Sequence, residues 1–187
     1  VRAAYDYAVN VMKVPPERIV LHGRSIGGGV VSTILLDVPI GGLVLESTFT
    51  SAADRAAEVY PYVPVHLLMT NPFNIRDKAS QYDGPVLILH GDKDGGVPVT
   101  HGRTLAEVIP NAEYVEVPGY GHNDGMLGVE VALGKRYMAC QSVFGYPKNI
   151  YPSRFKFRVS FIKFSCFSST SRSIVFWIYI KDSPAPK

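Results

Sequence analysis

Cysteine is nearly absent. Cys140 and Cys166 form neither a C-x-x-C pair nor a disulfide framework, so a dithiol redox centre and a stapled secreted scaffold are excluded. The 5 histidines show no H-E-x-x-H and no other metal-ligand spacing. Long apolar runs are also missing. None approaches the ~18 residues of a membrane-spanning helix. An initiator methionine is lacking too. The first residue is Val1, which makes a fragment or processed product the expectation, and no signal peptide can be sought there. Basic residues are sparse in one region and acidic residues in the other. Residues 1–126 hold 9 Lys+Arg against 14 Asp+Glu, whereas residues 127–187 hold 10 against 2. The basic balance of the chain therefore belongs to its last third. A basic run is more often a solvated face than a nucleic-acid site, so no nucleic-acid partner is expected.

What is present suffices for one folded domain. The chain has 187 residues, 47% of them apolar, so it can bury a core. The stretch that organises it is Val20-Leu-His-Gly-Arg-Ser-Ile-Gly-Gly-Gly-Val30. Ile19, Val20 and Leu21 read as a buried strand, and Val30, Val31, Ile34 and Leu35 follow at helical spacing. Between them stands Gly23-x-Ser25-x-Gly27, in the strand, turn, helix context that a nucleophile elbow requires. A sharp turn there leaves little room for Cβ atoms beside Ser25. It presents the hydroxyl at a helix N-terminus, where the Ile26 amide can face a developing oxyanion.

Elsewhere the pattern alternates strand and helix. Val1, Ala4, Tyr5, Ala8, Val9 and Met12 lie on one helical face, ended by Pro15-Pro16. The elbow helix is predicted to run to about Leu36, and further strands are predicted at 42–46, 84–90 and 112–117. Strands separated by helices of this length give βαβ units, so the fold class is α/β with a parallel sheet and flanking helices. Ser51 is an N-cap candidate for a helix through Tyr60. Residues 60–69 then read either as a small cap whose Tyr60, Leu67, Leu68 and Met69 wall a substrate pocket, or as core helices joined by a kinked link. His66 reads as a packing or surface histidine. After Met126 the character changes. Residues 129–138 could form a last helix, and a Ser/Phe-rich basic tail follows. Strand patterns at 155–161 and 174–180 flank a turn at 168–173, so residues 127–187 read as a hairpin or as a segment that does not fold with the domain.

Three chemical stations occur in order, each after a strand: Ser25, Asp94 and His122. Open α/β sheets bind ligands at that edge. A neutral serine hydroxyl is a poor nucleophile, so His122 is expected to take its proton and Asp94 to hold the imidazole. Asp92 and Glu46 are rival acids, and His90, His22 and His101 are rival bases. Asp94 lies beyond the turn, within reach of the histidine loop, and only His122 sits in a Gly-flanked terminal loop. His90 is expected to lock the Asp92–Asp94 turn through hydrogen bonds.

Four words of sequence carry a family resemblance. They are Gly23-Arg-Ser-Ile-Gly-Gly-Gly29, Leu45-Glu-Ser-Thr-Phe-Thr50, His90-Gly-x-x-Asp94 with Val97-Pro98, and Pro118-Gly-x-Gly-His-Asn-Asp124. Residues 1–126 resemble the second half of a serine α/β-hydrolase, in the serine-aminopeptidase-like group that includes membrane-associated, protein-depalmitoylating hydrolases. The resemblance implies a Ser25–His122–Asp94 triad and an oxyanion amide at Ile26; Asn123 and Asp124 match the group's wording but are assigned no catalytic role. It also implies ester or thioester substrates, either small molecules or acylated proteins, with no cofactor and no metal. Peripheral membrane association or a cytoplasmic location would fit. The group's first strands and its second oxyanion donor would precede Val1, so low activity, or a non-catalytic remnant, is the counter-expectation. Gly95-Gly96 departs from the group's larger residues and is expected to loosen the turn after the acid. The strand at 18–21 would then keep one open edge, with the tail lying apart.

Overall fold

The computed structural model describes residues 1–70, 73–124, 159–166 and 174–181. Helix α1 spans Arg2–Asn10, and a 3₁₀ turn at Pro16–Arg18 leads into β1, Ile19–Arg24. Then come α2 (Ile26–Ser32), β2 (Gly42–Glu46), α3 (Ala52–Val59), α4 (Val65–Leu68) and α5 (Ile75–Ala79). The order continues with β3 (Val86–Gly91), α6 (Val99–Val108), β4 (Ala112–Val117), β5 (Val159–Cys166) and β6 (Ile174–Lys181).

One sheet runs in the order β4-β3-β2-β1-β6-β5. Strands β1 to β4 are mutually parallel, with Leu21 opposite Leu43, Leu45 opposite Ile88 and Ile88 opposite Tyr114. β2 and β3 are buried at every position and β1 at all but Arg24, as parallel strands covered on both faces must be. β4 is mostly half-buried, consistent with its place at one edge. Ile19, Leu21, Leu43, Leu45, Val86 and Ile88 form the sheet's share of the core. Ala4, Tyr5 and Ala8 of α1 pack into it, and the Tyr5 hydroxyl donates to the Pro39 carbonyl at 2.7 Å. Met12, the last residue of the predicted helical face, lies beyond α1 and is exposed.

Two expectations need correction here. The elbow helix ends at Ser32 rather than near Leu36, because the chain tightens into i→i−3 bonds: Ile34 N–H donates to Val31 O, and Leu35 N–H to Ser32 O. The edge of β1 is not left open. β6 pairs with it antiparallel, Leu21 opposite Ile178 and Gly23 opposite Phe176, while β5 pairs antiparallel on β6. The tail lacks side-chain patterns that match β1, but backbone pairing requires none. The main-chain donors and acceptors on that side of β1 are a sufficient template. The first tail strand takes in the predicted positions 159–161 and runs on to Cys166, while positions 155–158 of that prediction lie outside the described residues. The predicted helix at 129–138 and turn at 168–173 lie outside the described residues. Among the described residues, no helix is long and apolar enough to cross a membrane.

Candidate active site

β1 ends at Arg24, and the next residue turns sharply. Ser25 has φ 52° and ψ −124°, a conformation that non-glycine residues rarely adopt. Three bonds hold it there. Its N–H donates to Glu46 O at 2.8 Å, continuing the ladder past the strand end. Its carbonyl accepts from the Gly28 N–H at 3.0 Å and from the Thr48 hydroxyl at 2.7 Å.

The glycines of the elbow have separate purposes. A Cβ on Gly23 would lie 2.5 Å from both the Gly27 oxygen and Gly28 Cα, so Gly23 permits the turn itself. A Cβ on Gly29 would lie 2.7 Å from the Phe73 Cβ, so that glycine permits close packing of α2.

The structure brings the three stations together. Ser25 Oγ lies 2.9 Å from His122 Nε2. His122 Nδ1 lies 2.9 Å from both Asp94 carboxylate oxygens. A carboxylate can only accept, so Nδ1 carries the proton and Nε2 offers its lone pair to the Ser25 hydroxyl. Burial would raise the pKa of the Asp94 carboxyl. Hydrogen bonds from His122 and His90 and from the Val97 N–H outweigh it and hold the group well below the usual carboxylate range.

The turn after Asp94 is tight, which corrects the expectation that Gly95-Gly96 loosens it. Asp94 Oδ1 accepts from the Gly96 N–H at 2.8 Å and from the Val97 N–H at 2.7 Å. Gly96 O accepts from Arg55 Nε at 2.9 Å, which ties α3 to this turn. A Cβ on Gly96 would lie 2.7 Å from His122 Cγ, so the missing side chain is what lets the imidazole sit close.

The rivals take other roles. Asp92 Oδ1 accepts from the Gly119 N–H at 2.6 Å, pinning the histidine loop. His90 Nε2 is 2.9 Å from Val97 O and 3.4 Å from Asp94 Oδ2, so it locks the acid turn as expected. His101 is buried in α6, where Nδ1 accepts from the Thr50 N–H at 3.2 Å. His66 lies at the surface, 3.9 Å from Asp54. Glu46 is buried and faces His22 Nε2 at 2.9 Å.

Ile26 is the first residue of α2, half exposed beside Ser25, and its N–H is among those a helix start leaves unpaired. Tyr60, Leu67 and Leu68 are exposed, Leu67 at 85%, and Met69 is partly exposed. A small crevice opens at the C-terminal ends of β2, β3 and β4, lined by Glu46, Ser47, His90, Val117 and Tyr120. Among the described residues, no group of three or more His, Cys, Asp or Glu could hold a metal ion.

Sequence reasoning missed one residue of this neighbourhood, Arg24. Its Nη2 donates to the His122 main-chain carbonyl, and its Nε lies 3.4 Å from Glu46 Oε1. The only hint is its position, next to Ser25.

Comparison with known proteins supports the α/β-hydrolase superfamily. A family model described as alpha/beta hydrolase fold matches residues 63–129. An uncharacterised protein of Mycobacterium tuberculosis is 36% identical over 124 residues, covering 66% of this chain and 44% of that protein. The alpha/beta hydrolase domain-containing protein WAV2 of Arabidopsis thaliana is 30% identical over 145 residues, covering 67% and 47%. The alpha/beta hydrolase domain-containing protein 17C of Xenopus tropicalis is 32% identical over 116 residues, covering 59% and 35%. The chain thus spans less than half the length of these relatives. Among solved structures, the acylaminoacyl peptidase of Pyrococcus horikoshii superposes with a TM-score of 0.60 at 15% identity, covering 78% of this chain and 27% of that one. The esterase domain of a Rhodothermus marinus protein gives 0.54 at 15% identity, covering 73% and 66%. The fold is that of the α/β hydrolases.

Proposed function

We propose that this chain carries the catalytic centre of a serine hydrolase that cleaves carboxylic ester or thioester bonds. One observation carries the reading: the unbroken line from Asp94 through His122 to Ser25, with 2.9 Å at each step. Ser25 Oγ attacks the acyl carbon while its proton passes to His122 Nε2. Asp94 keeps the imidazole in the correct tautomer and stabilises the imidazolium. The Ile26 amide faces the tetrahedral oxyanion. Collapse expels the alcohol or thiol, which takes the proton from His122. Water, deprotonated in turn by His122, then releases the acid from the acyl-enzyme.

The four sequence words favour an acyl-protein thioesterase-like activity within this class. The exposed Tyr60, Leu67 and Leu68 and the partly exposed Met69 follow α3, which is bonded to the acid turn through Arg55. They are suited to contact an acyl chain. The substrate is a small acyl ester or an acylated protein, and the chemistry needs no cofactor.

A fluorophosphonate probe tests the proposal. Covalent labelling of the wild-type chain, lost in Ser25→Ala and His122→Ala, is expected. An unlabelled wild type would favour a non-catalytic remnant instead. Paired oxygen esters and thioesters of increasing chain length then report leaving group and acyl preference.

A further inference from the structure

We infer that Arg24 is a positioning residue: anchored against the buried Glu46 carboxylate, its guanidinium holds the main-chain carbonyl of His122 and so fixes the loop that presents the imidazole to Ser25. The inference rests on the reading of Ser25, His122 and Asp94 as a triad. It begins from where Arg24 sits. As the last residue of β1 it precedes the nucleophile directly, yet its side chain reaches the loop after β4. Its Nε lies 3.4 Å from Glu46 Oε1, and neither atom makes a hydrogen bond. That pair is held by charge rather than by directed bonding. The other carboxylate oxygen faces His22 Nε2 at 2.9 Å, so Glu46 is fixed from the strand beside it. The chain of contacts therefore runs from the sheet interior through Glu46 and Arg24 to the backbone of His122.

The histidine loop needs such an anchor. It contains Gly119 at φ 81° and a second glycine, Gly121, immediately before His122. Among the described residues, its other main-chain anchors come from the β3 side or from the loop itself. Gly119 N–H donates to Asp92, Tyr120 O accepts from the Lys93 N–H at 2.9 Å, and Gly121 N–H donates to Asp124. Without Arg24, the position of His122 relative to β1 would rest on its own side-chain bond to Ser25. That bond is broken whenever the serine is acylated. The Arg24 bond is to a carbonyl, so it persists whatever protons the imidazole carries. A guanidinium beside an imidazolium is unfavourable by charge alone, and the Glu46 carboxylate offsets that repulsion. The planar fork of arginine holds two partners in a fixed geometry, whereas the ammonium of lysine is a point charge on a flexible stem.

The experiment compares wild type, Arg24→Ala, Arg24→Lys and the double variant Arg24→Gln/Glu46→Gln. The double variant leaves no buried carboxylate unpaired, so it tests the tether even if Arg24→Ala folds poorly. Two readouts are taken on the full chain: the rate of fluorophosphonate labelling, and hydrogen exchange of the amides in residues 119–124. Displacing a catalytic group by about 1 Å costs up to roughly 100-fold in rate, so labelling is expected to slow by roughly 10- to 100-fold in all three variants. Exchange at 119–124 is expected to quicken in each. Free guanidinium at sub-denaturing concentration is expected to restore part of the labelling rate in Arg24→Ala and none in Arg24→Lys. Wild-type labelling in the double variant overturns the inference, and so does slowed labelling with wild-type exchange at 119–124. If wild type itself is not labelled, the proposed function fails, while the exchange comparison still decides whether Arg24 tethers the loop.

Discussion

Gly96→Ala should separate catalysis from stability. The new Cβ would lie 2.7 Å from His122 Cγ, 2.9 Å from Cδ2 and 3.0 Å from Nδ1. Carbon atoms rest at about 3.5 Å, so the imidazole must retreat by about 0.8 Å. Its bonds to Ser25 and Asp94 are 2.9 Å each, and it cannot retreat without lengthening at least one of them. A bond stretched to about 3.7 Å is no longer a hydrogen bond. The labelling rate of Ser25 should therefore fall by roughly 10- to 100-fold. The fold has no matching reason to suffer. Gly96 is exposed, its φ is not in the left-handed region, and an alanine keeps the N–H that Asp94 accepts. Unfolding free energy should change by less than about 1 kcal/mol, since a compatible Gly→Ala also restricts the unfolded chain. Gly95→Ala is the control, because its Cβ would meet nothing within 4 Å. The assay is labelling kinetics beside urea unfolding for the three proteins. Wild-type labelling by Gly96→Ala would refute the reasoning, and so would equal slowing in Gly95→Ala.

Further expectations follow from the same contacts. Ser25→Gly should be more stable than Ser25→Ala by about 1–3 kcal/mol, because glycine adopts φ 52° without strain; equal unfolding midpoints would contradict the strain argument. Glu46→Ala removes the partner shared by His22 and Arg24, so a loss of roughly 3–5 kcal/mol is expected in urea unfolding, and a loss under about 1 kcal/mol would show that the buried pair contributes little. Asp94 is held below its unfolded pKa, so it stabilises the native state above about pH 4 and loses that contribution as pH falls further. Thermal melts of wild type and Asp94→Asn should thus draw together as pH falls below about 4, and curves that remain parallel would argue against the assignment. Ile178→Pro, in the strand beside β1, should quicken hydrogen exchange of the Ile19–Leu21 amides; unchanged protection would mean that β6 does not cover that edge.

Strands β1 to β3 were legible because their apolar runs are short and punctuated by glycine and proline, and β4 because Glu113 and Glu116 interrupt a β-branched and aromatic stretch after Pro110. The line of Ser25, His122 and Asp94 was legible because each residue follows such a strand in a Gly-rich loop. Three features were not. Alternating residues mark 174–180 as a strand, but nothing in the alternation names β1 as its partner, since main-chain groups carry no residue code. Glu46 ends a strand as an acid of the site would, and only the fold shows His22 and Arg24 beside it. Gly95-Gly96 suggested slack, whereas hydrogen bonds from the two amides after Gly95 to Asp94 hold the turn tight.

The pairing of β6 with β1 has a consequence for how the protein is made. Residues 19–23 lie against residues 176–180, at opposite ends of the chain. On the ribosome, β1 to β4 emerge long before β6 does. Until β6 emerges, the β1 edge that it covers here lacks that partner and is open to pairing with a neighbouring chain. Closing that edge with β6 is a long-range event that must wait for residues 174–181 to leave the exit tunnel. A nascent chain stalled before Ile174 would thus present the β1 edge without the strand that covers it here. Holdase chaperones that bind apolar edges would find their target there.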